Sequence, residues 1–164
     1  MPSPATRTMR QPATRQIRGT AERARREHTM AVEGIEVGAT ASFEKLITQE
    51  DIVAYAEVSG DANPLHVDAE YAAKTRFKAP IAHGMLGAGL ISAALGFKLA
   101  PHAVVVYLGQ TLRFRAPVSA GDTLTANVEA TEVDDERSRI TLNTVVTNQD
   151  GTEVITGEAQ IMLD

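Results

Sequence analysis

The segment formed by residues 85–99 constrains the fold more than any other part of the chain. It is apolar nearly all round and rich in Gly and Ala, so a helix formed there must be buried on most of its surface. It is too short to span a bilayer, which takes about 20 apolar residues. We therefore expect a buried central helix and no membrane span. Its small side chains favour close packing against a sheet.

The chain on either side of this segment alternates with the period of β-strands. One strand is predicted over residues 39–46, and four more over residues 104–118, 122–134, 139–148 and 153–163. Asp150-Gly151 is a strong hairpin-turn signal between the last two. We expect an α+β domain in which an antiparallel β-sheet wraps around a long central α-helix. Because one sheet covers only one side of so apolar a helix, we also expect a second subunit.

The length of 164 residues fits one domain, and the absence of Cys excludes disulfides and Cys-ligated zinc. The net charge of −5 is uneven, since residues 1–27 hold seven Arg against two acidic residues. We interpret residues 1–30 as a flexible Arg-rich arm and residues 31–164 as the domain. The acidic domain argues against nucleic-acid binding, and the arm lacks aromatic residues between its arginines.

We expect a cytoplasmic protein, with an organelle matrix as the alternative if residues 1–29 are a transit peptide. Met30 is an equally plausible start of the protein.

A polar loop precedes the central helix and holds the candidate chemistry. A helix predicted over residues 48–59, with Thr48 as its cap, should bury Ile52, Val53, Tyr55, Ala56 and Val58. The Asn63-Pro64 dipeptide disfavours helix at Asn63, so the incoming helix should end near Gly60. Asp61 and His66 then lie in a constrained turn, and Asp68 can cap a short helix over residues 69–75.

The residue types in this loop suit the handling of water. A carboxylate and an imidazole held together can take a proton from a water molecule and supply one elsewhere. Gly84 lies in the first turn of the central helix, where a backbone N–H can stabilise a developing negative oxygen. Each signal alone has an ordinary explanation: Asp61 as a turn residue, His66 as a core histidine and Gly84 as a turn glycine. Their combination is more specific.

The loop resembles the hydratase signature of the MaoC-like (R)-specific enoyl-CoA hydratase family. The resemblance rests on Asp61-x-Asn63-Pro64-x-His66-x-Asp68, on Thr75-x-Phe77 and on Ile81-Ala82-His83-Gly84-Met85, and it extends from about residue 40 to the C-terminus. It implies a hot-dog fold, a homodimer, and a lyase that reversibly hydrates trans-2-enoyl-CoA to (R)-3-hydroxyacyl-CoA without a metal or redox cofactor.

The resemblance also implies roles for individual residues. Asp61 and His66 would handle the water and the proton at C2, and the Gly84 N–H would bind the thioester oxygen. Asn63 would fix the loop or the water, and His83 would support the turn. Ser92 and Leu95 match positions that line the acyl pocket, although a Ser inside a helix is as often bonded to its own backbone.

Several alternatives stay open at this point. The protein could be a 3-hydroxyacyl-[acyl-carrier-protein] dehydratase or a non-catalytic acyl-thioester binding subunit. A metal bound by Asp61, His66, Asp68 and His83 is disfavoured, because their spacing matches no known helical ligand set. Arg113 and Arg115 alternate with apolar residues and by default face solvent, although one of them could bind a phosphate of a carrier; nothing local in the sequence shows it. The acyl chain length, the carrier, the pathway and the division of acid and base roles are not fixed by the sequence.

Overall fold

The structure of the protein is a computed structural model that describes Val32 and residues 34–164. The arm predicted over residues 1–30 lies outside the described residues. Its flexibility, its possible role as a transit peptide and the boundary at residue 31 therefore stay predictions.

Five strands form one antiparallel sheet in the order β1-β3-β4-β5-β2. Their bounds are β1 Thr40–Leu46, β2 Val105–Phe114, β3 Thr123–Asp134, β4 Arg139–Thr147 and β5 Glu153–Leu163. The antiparallel sheet predicted from the period of two is confirmed. The second strand differs most from its prediction, since β2 ends at Phe114 and residues 115–118 continue without strand pairing beyond Arg115. Pro117 lacks an N–H group and cannot extend the ladder.

The central helix packs against this sheet and contacts all five strands. It consists of α4 over Gly84–Ala93 followed directly by a π-helix over Ala94–Leu99. Its small residues do permit close approach, because a Cβ at Gly87 would lie 3.1 Å from the Ile155 Cδ1 atom. The sequence predicted one continuous α-helix, and the π-helical turns are a difference in its last six residues. Gly96 weakens the α-helical ladder at this point, and we attribute the π-helical geometry to packing of this segment against β1.

Helix α1 covers Gln49–Ser59 and delivers the chain to the polar loop. Thr48 and Asp51 form a reciprocal capping box at its start. Backbone and side-chain hydrogen bonds at this cap, with the Lys45 ammonium 3.0 Å from the carboxylate, lower the pKa of Asp51. Fewer side chains of α1 are buried than the sequence predicted. Ile52 and Ala56 are buried, whereas Val53 and Val58 are 41% and 84% exposed, because α1 lies at the periphery and touches the core with one narrow stripe.

The polar loop contains two short helices, α2 over Pro64–Val67 and α3 over Ala69–Ala73. The prediction that His66 lies in a non-helical turn is thus corrected, because His66 is part of a single helical turn. Asn63 caps that turn, its side-chain oxygen accepting from the Leu65 N–H at 3.0 Å, and Pro64 occupies the first helical position, where its missing N–H costs nothing. The Asp68 cap predicted for the next helix is confirmed by its bond to the Tyr71 N–H at 2.9 Å.

The core lies between the sheet and the central helix and is almost entirely aliphatic. Its largest fully buried side chains include Ile47, Ile52, Ile91, Leu95, Leu124, Ile140, Leu142 and Ile161. Across the described residues, none of the helices is both long and apolar enough to cross a membrane.

Candidate active site

Three polar side chains from separate elements meet at the mouth of the central helix. Asp61 follows the left-handed Gly60 cap of α1, His66 lies on α2, and His83 immediately precedes α4. Ligand-type atoms of the three side chains all lie within 4.8 Å of one another. The structure therefore brings together the Asp61 and His66 side chains predicted to act as a pair, with His83 beside them.

The hydrogen bond made by His66 determines which of its nitrogens is free. Its Nδ1 lies 2.7 Å from the carbonyl oxygen of Ile81. Because a carbonyl oxygen only accepts, the Nδ1–H group donates, and the neutral ring keeps its lone pair on Nε2. His66 is half-buried and lines the cavity described below. This arrangement leaves Nε2 as a proton acceptor.

His83 is the buried support of this arrangement. It is 3% exposed, and its Nε2–H donates to the backbone carbonyl of Asp61 at 2.8 Å. Its ring lies against the His66 ring, with centroids 3.8 Å apart, and against the Tyr55 ring at 4.9 Å. His83 thus fixes both the backbone that carries Asp61 and the plane of His66. Its Nδ1 is buried and has no hydrogen-bond partner among the described residues.

Asp61 is exposed, in contrast to His83. One of its carboxylate oxygens accepts from the Asn63 N–H at 3.3 Å, and its own N–H donates to the Ser59 hydroxyl at 3.2 Å. These bonds hold the loop while leaving the second carboxylate oxygen accessible. The carboxylate can therefore reach a bound water or substrate.

Gly84 is the first residue of α4, where backbone N–H groups have no partner inside the helix. His83 provides no side-chain cap, and within the described part of the chain the Gly84 N–H has no hydrogen-bond partner. The Phe114 ring packs directly on this glycine, since a Cβ there would lie 2.6 Å from Phe114 Cε1. A residue with a side chain at this position would collide with that ring.

A cavity of about 380 Å³ opens beside these residues. Its lining comprises His66, Arg76, Phe77, Ile81, Ala82, His83, Gly84, Met85, Gly87, Phe114, Arg115, Ala116, Pro117, Val118, Val154 and Ile155. Asp61, Asn63, Ser92 and Leu95 do not belong to this lining. Ser92 is exposed on α4, and Leu95 is 1% exposed in the core, so their roles in an acyl pocket stay predictions.

The Asp61, His66 and His83 group is also the place where the described residues could hold a metal ion. One nitrogen of each histidine already donates to a backbone carbonyl, so a metal would have to use His66 Nε2, His83 Nδ1 and the Asp61 carboxylate. The arrangement suits proton transfer at least as well, because an imidazole lone pair and a carboxylate already lie together.

Sequence reasoning missed three residues of this site: Tyr55 as a contact of His83, and Arg76 and Phe114 in the cavity wall; Arg115, considered only as a possible phosphate ligand, also lies in that wall. No local signal marks them. The strand pattern assigned Phe114 and Arg115 to opposite faces of β2, and only the end of that strand at Phe114 brings both to the cavity.

The fold and this site define a class. The five-stranded antiparallel sheet around a central helix is the hot-dog fold, as the resemblance implied. The solved structure of the (R)-hydratase from Aeromonas caviae involved in PHA biosynthesis matches with a TM-score of 0.75 and 41% identity, covering 80% of this chain and 99% of that one.

The family is equally clear. A family model of the MaoC like domain matches residues 24–153, and the chain belongs to this family. An (R)-specific enoyl-CoA hydratase of Rhodospirillum rubrum is 47% identical over 131 residues, covering 80% of this chain and 90% of that protein. A more distant relative, the mitochondrial 3-hydroxyacyl-[acyl-carrier-protein] dehydratase FERN of Solanum lycopersicum, is 33% identical over 131 residues, 79% of this chain and 78% of that protein.

Proposed function

We propose that the protein is a hydro-lyase that reversibly hydrates trans-2-enoyl-CoA to (R)-3-hydroxyacyl-CoA. The observation that carries this proposal is the His66 side chain, which keeps one ring nitrogen free of its Ile81 hydrogen bond, lies close to the Asp61 carboxylate and lines an apolar cavity. The similarity to (R)-specific enoyl-CoA hydratases over most of the chain supports the substrate and the stereochemistry.

In the hydration direction, water adds to C3 of the enoyl group and a proton is added to C2. His66 Nε2 takes a proton from the attacking water as its oxygen bonds to C3, and that proton passes through the Asp61 carboxylate to C2, which returns both side chains to their starting states. The reverse reaction uses the same groups in the opposite order. Because ligand-type atoms of the two side chains are within 4.8 Å of each other, we propose that they act together on one water molecule.

The thioester oxygen becomes negative while the C2 carbanion character develops. The Gly84 N–H, at the positive end of the α4 dipole, is placed to stabilise that oxygen. The reaction is redox-neutral overall and adds only water, so we propose that it uses no metal or redox cofactor.

The test is the loss of enoyl-thioester absorbance on crotonyl-CoA, with chiral analysis of the product. Asp61→Asn and His66→Ala should each lose most of the activity while keeping the wild-type circular dichroism spectrum. Asp135→Asn and His102→Ala are matched controls on residues outside the site and should keep it. Wild-type protein that turns over neither crotonyl-CoA nor longer enoyl-CoA would refute the proposal.

The second candidate is a dehydratase acting on acyl-carrier-protein thioesters, favoured by the similarity to the plant dehydratase. The two candidates share the chemistry and differ in the carrier. Comparison of kcat/KM for crotonyl-CoA and for the crotonyl thioester of acyl carrier protein distinguishes them, and a higher value for the carrier protein would select the dehydratase.

We further propose that the protein is a homodimer joined through β2. Among the described residues this strand is paired on one side only, with β5, and it exposes three consecutive large side chains, Val106, Tyr107 and Leu108. An apolar edge strand of this kind pairs readily with a second copy. Light scattering should show the mass of two chains for the wild type and of one chain for Leu108→Lys. A monomeric wild type would contradict the proposal.

For the location, we propose the cytoplasm, with an organelle matrix as the alternative. Fractionation of cells producing the full chain, with N-terminal sequencing of the recovered protein, tests both. Recovery of a protein lacking its first ~30 residues from an organelle would select the alternative.

A further inference from the structure

The positive charges of the domain are concentrated beside the candidate active site. Residues 34–164 contain nine Lys or Arg against eighteen Asp or Glu, so this part of the chain is strongly acidic. Five of those nine cations nevertheless fall in two short segments, residues 74–78 and residues 113–115. Each segment contributes one arginine, Arg76 or Arg115, to the wall of the cavity.

The cavity wall contains both arginines and no carboxylate. Arg76 follows α3, and its guanidinium lies over the Phe77 ring at 4.8 Å. Arg115 follows β2, and its backbone N–H donates to the Val154 carbonyl at 2.8 Å, which anchors its position at the end of the sheet. Both side chains are exposed. The ion pairs found in the described part of the chain involve Lys45 and Arg137 instead.

Two arginines with no carboxylate partner among the described residues, on separate elements of one cavity wall, form an anion-binding arrangement. Guanidinium groups match the geometry of phosphate oxygens and can bind them with two hydrogen bonds each. In an acidic domain such a pair also directs an anionic ligand to this opening rather than to the remaining surface.

We propose that Arg76 and Arg115 bind phosphate of the thioester carrier at the mouth of the cavity. This inference rests on the proposed function, since it assumes that the thioester lies beside His66 and Gly84. The pantetheine arm separates the thioester from the phosphate, so the phosphate belongs at the opening while the acyl group enters the apolar interior. Coenzyme A and acyl carrier protein both present a phosphate at the end of that arm.

The experiment compares crotonyl thioesters of coenzyme A, 4′-phosphopantetheine and pantetheine, the last of which has no phosphate. We measure kcat/KM for each with the wild type, Arg76→Gln and Arg115→Gln. Arg139→Gln is the matched control, because Arg139 lies far from the cavity. It pairs with Met162 at one end of β5, whereas the cavity residue Ile155 lies near the other end of that strand. The ratio of kcat/KM for the CoA thioester to that for the pantetheine thioester should fall about tenfold in each test variant, mainly through KM, and stay unchanged in the control.

The 4′-phosphopantetheine thioester identifies the phosphate concerned. If the arginine variants lose as much kcat/KM for the 4′-phosphopantetheine thioester as for the CoA thioester, the arginines bind the phosphate that CoA shares with acyl carrier protein. If they lose kcat/KM for the CoA thioester alone, the arginines bind the phosphates of its adenosine part. Either result supports the pair. Added salt should lower the wild-type ratio, because exposed ionic contacts are screened.

The proposal is overturned if the ratio is unchanged in both test variants, or if kcat/KM falls equally for all three thioesters, which would show that the arginines act on folding or chemistry. Failure of the proposed function is a separate result, in which the wild type converts none of the thioesters. Calorimetric titration of free coenzyme A into the wild type and the variants then tests the pair directly, and equal affinity in all of them overturns it.

Discussion

The Gly84 N–H can be removed without disturbing the helix that carries it, which makes its proposed role directly testable. The change is Gly84→Pro. Proline is well accommodated at the first position of a helix, where its missing N–H has no partner inside the helix. His83 already has φ −61° and ψ 134°, an extended conformation that suits a residue preceding proline.

The expected magnitude has a steric and a catalytic part. Any Cβ at position 84 would lie 2.6 Å and 2.8 Å from two atoms of the Phe114 ring. Phe114 is 53% exposed, so the ring can move aside, and the steric cost should stay within about 1–3 kcal/mol. Loss of one oxyanion donor costs about 2.7–4 kcal/mol in the transition state, which is a fall in kcat of about 10²–10³.

The matched control is Gly84→Ala, which adds the same Cβ and keeps the N–H. Both changes are also made in a Phe114→Ala background, which removes the steric contact. In that background we expect equal melting temperatures for the two variants and a kcat on crotonyl-CoA about 10²–10³ lower for Pro than for Ala. If the Pro and Ala variants had kcat values within about threefold of each other, the Gly84 N–H would not be the oxyanion donor.

Four further predictions concern stability and the metal. Thr48→Ala removes the cap of α1 and should lower the free energy of unfolding by about 1 kcal/mol, measured by urea denaturation; an unchanged midpoint would contradict the cap. The pKa of Asp51 is lowered in the folded protein, so its contribution is present above its unfolded value and is lost as the pH falls; Asp51→Asn should therefore show a weaker loss of stability below about pH 5 than the wild type. Gly157→Ala should disrupt the pairing of β2 with β5, because the added Cβ would lie 1.8 Å from the Thr111 carbonyl oxygen; a melting temperature equal to that of the wild type would show that the strands can separate at low cost. Dialysis against EDTA should leave the activity on crotonyl-CoA unchanged, whereas a loss restored by a divalent cation would assign a metal to Asp61, His66 and His83.

The elements defined by local chemistry were predictable from the sequence. The fifth strand, Glu153–Leu163, has the predicted bounds, because its alternation is uninterrupted and Asp150-Gly151 fixes the preceding turn. The α1 helix begins after Thr48 as its capping box indicates. In both cases the determining interactions lie within a few residues of each other.

The exposure of Val53 and Val58 was not predictable in the same way. Their spacing on α1 is compatible with burial, but the sequence does not state how much of a peripheral helix the core will cover. The π-helix over Ala94–Leu99 is a similar case. Its geometry depends on packing against β1, which is about 50 residues away along the chain.

The site shows the same division. The spacing of Asp61 and His66 in a short polar loop was enough to predict their proximity, and the structure brings them together. The tautomer of His66 could not be predicted, because the acceptor is the backbone carbonyl of Ile81, 15 residues away. The same holds for His83, whose partner is the Asp61 carbonyl, 22 residues away. Every residue has a backbone carbonyl, so the residue types do not indicate which carbonyl will accept a hydrogen bond from a distant side chain.

The contact between the two histidine rings explains why Asp61 and His66 should act together. When His66 takes a proton from water it becomes a cation whose ring centroid is 3.8 Å from that of His83. His83 cannot neutralise that charge, because an imidazole ring carries no negative charge and its Nε2–H donates to the Asp61 carbonyl. The Asp61 carboxylate lies nearby and can accept that proton. Neither side chain can therefore complete the proton transfer without the other. The double variant Asp61→Asn/His66→Ala should have a kcat only slightly lower than that of the slower single variant.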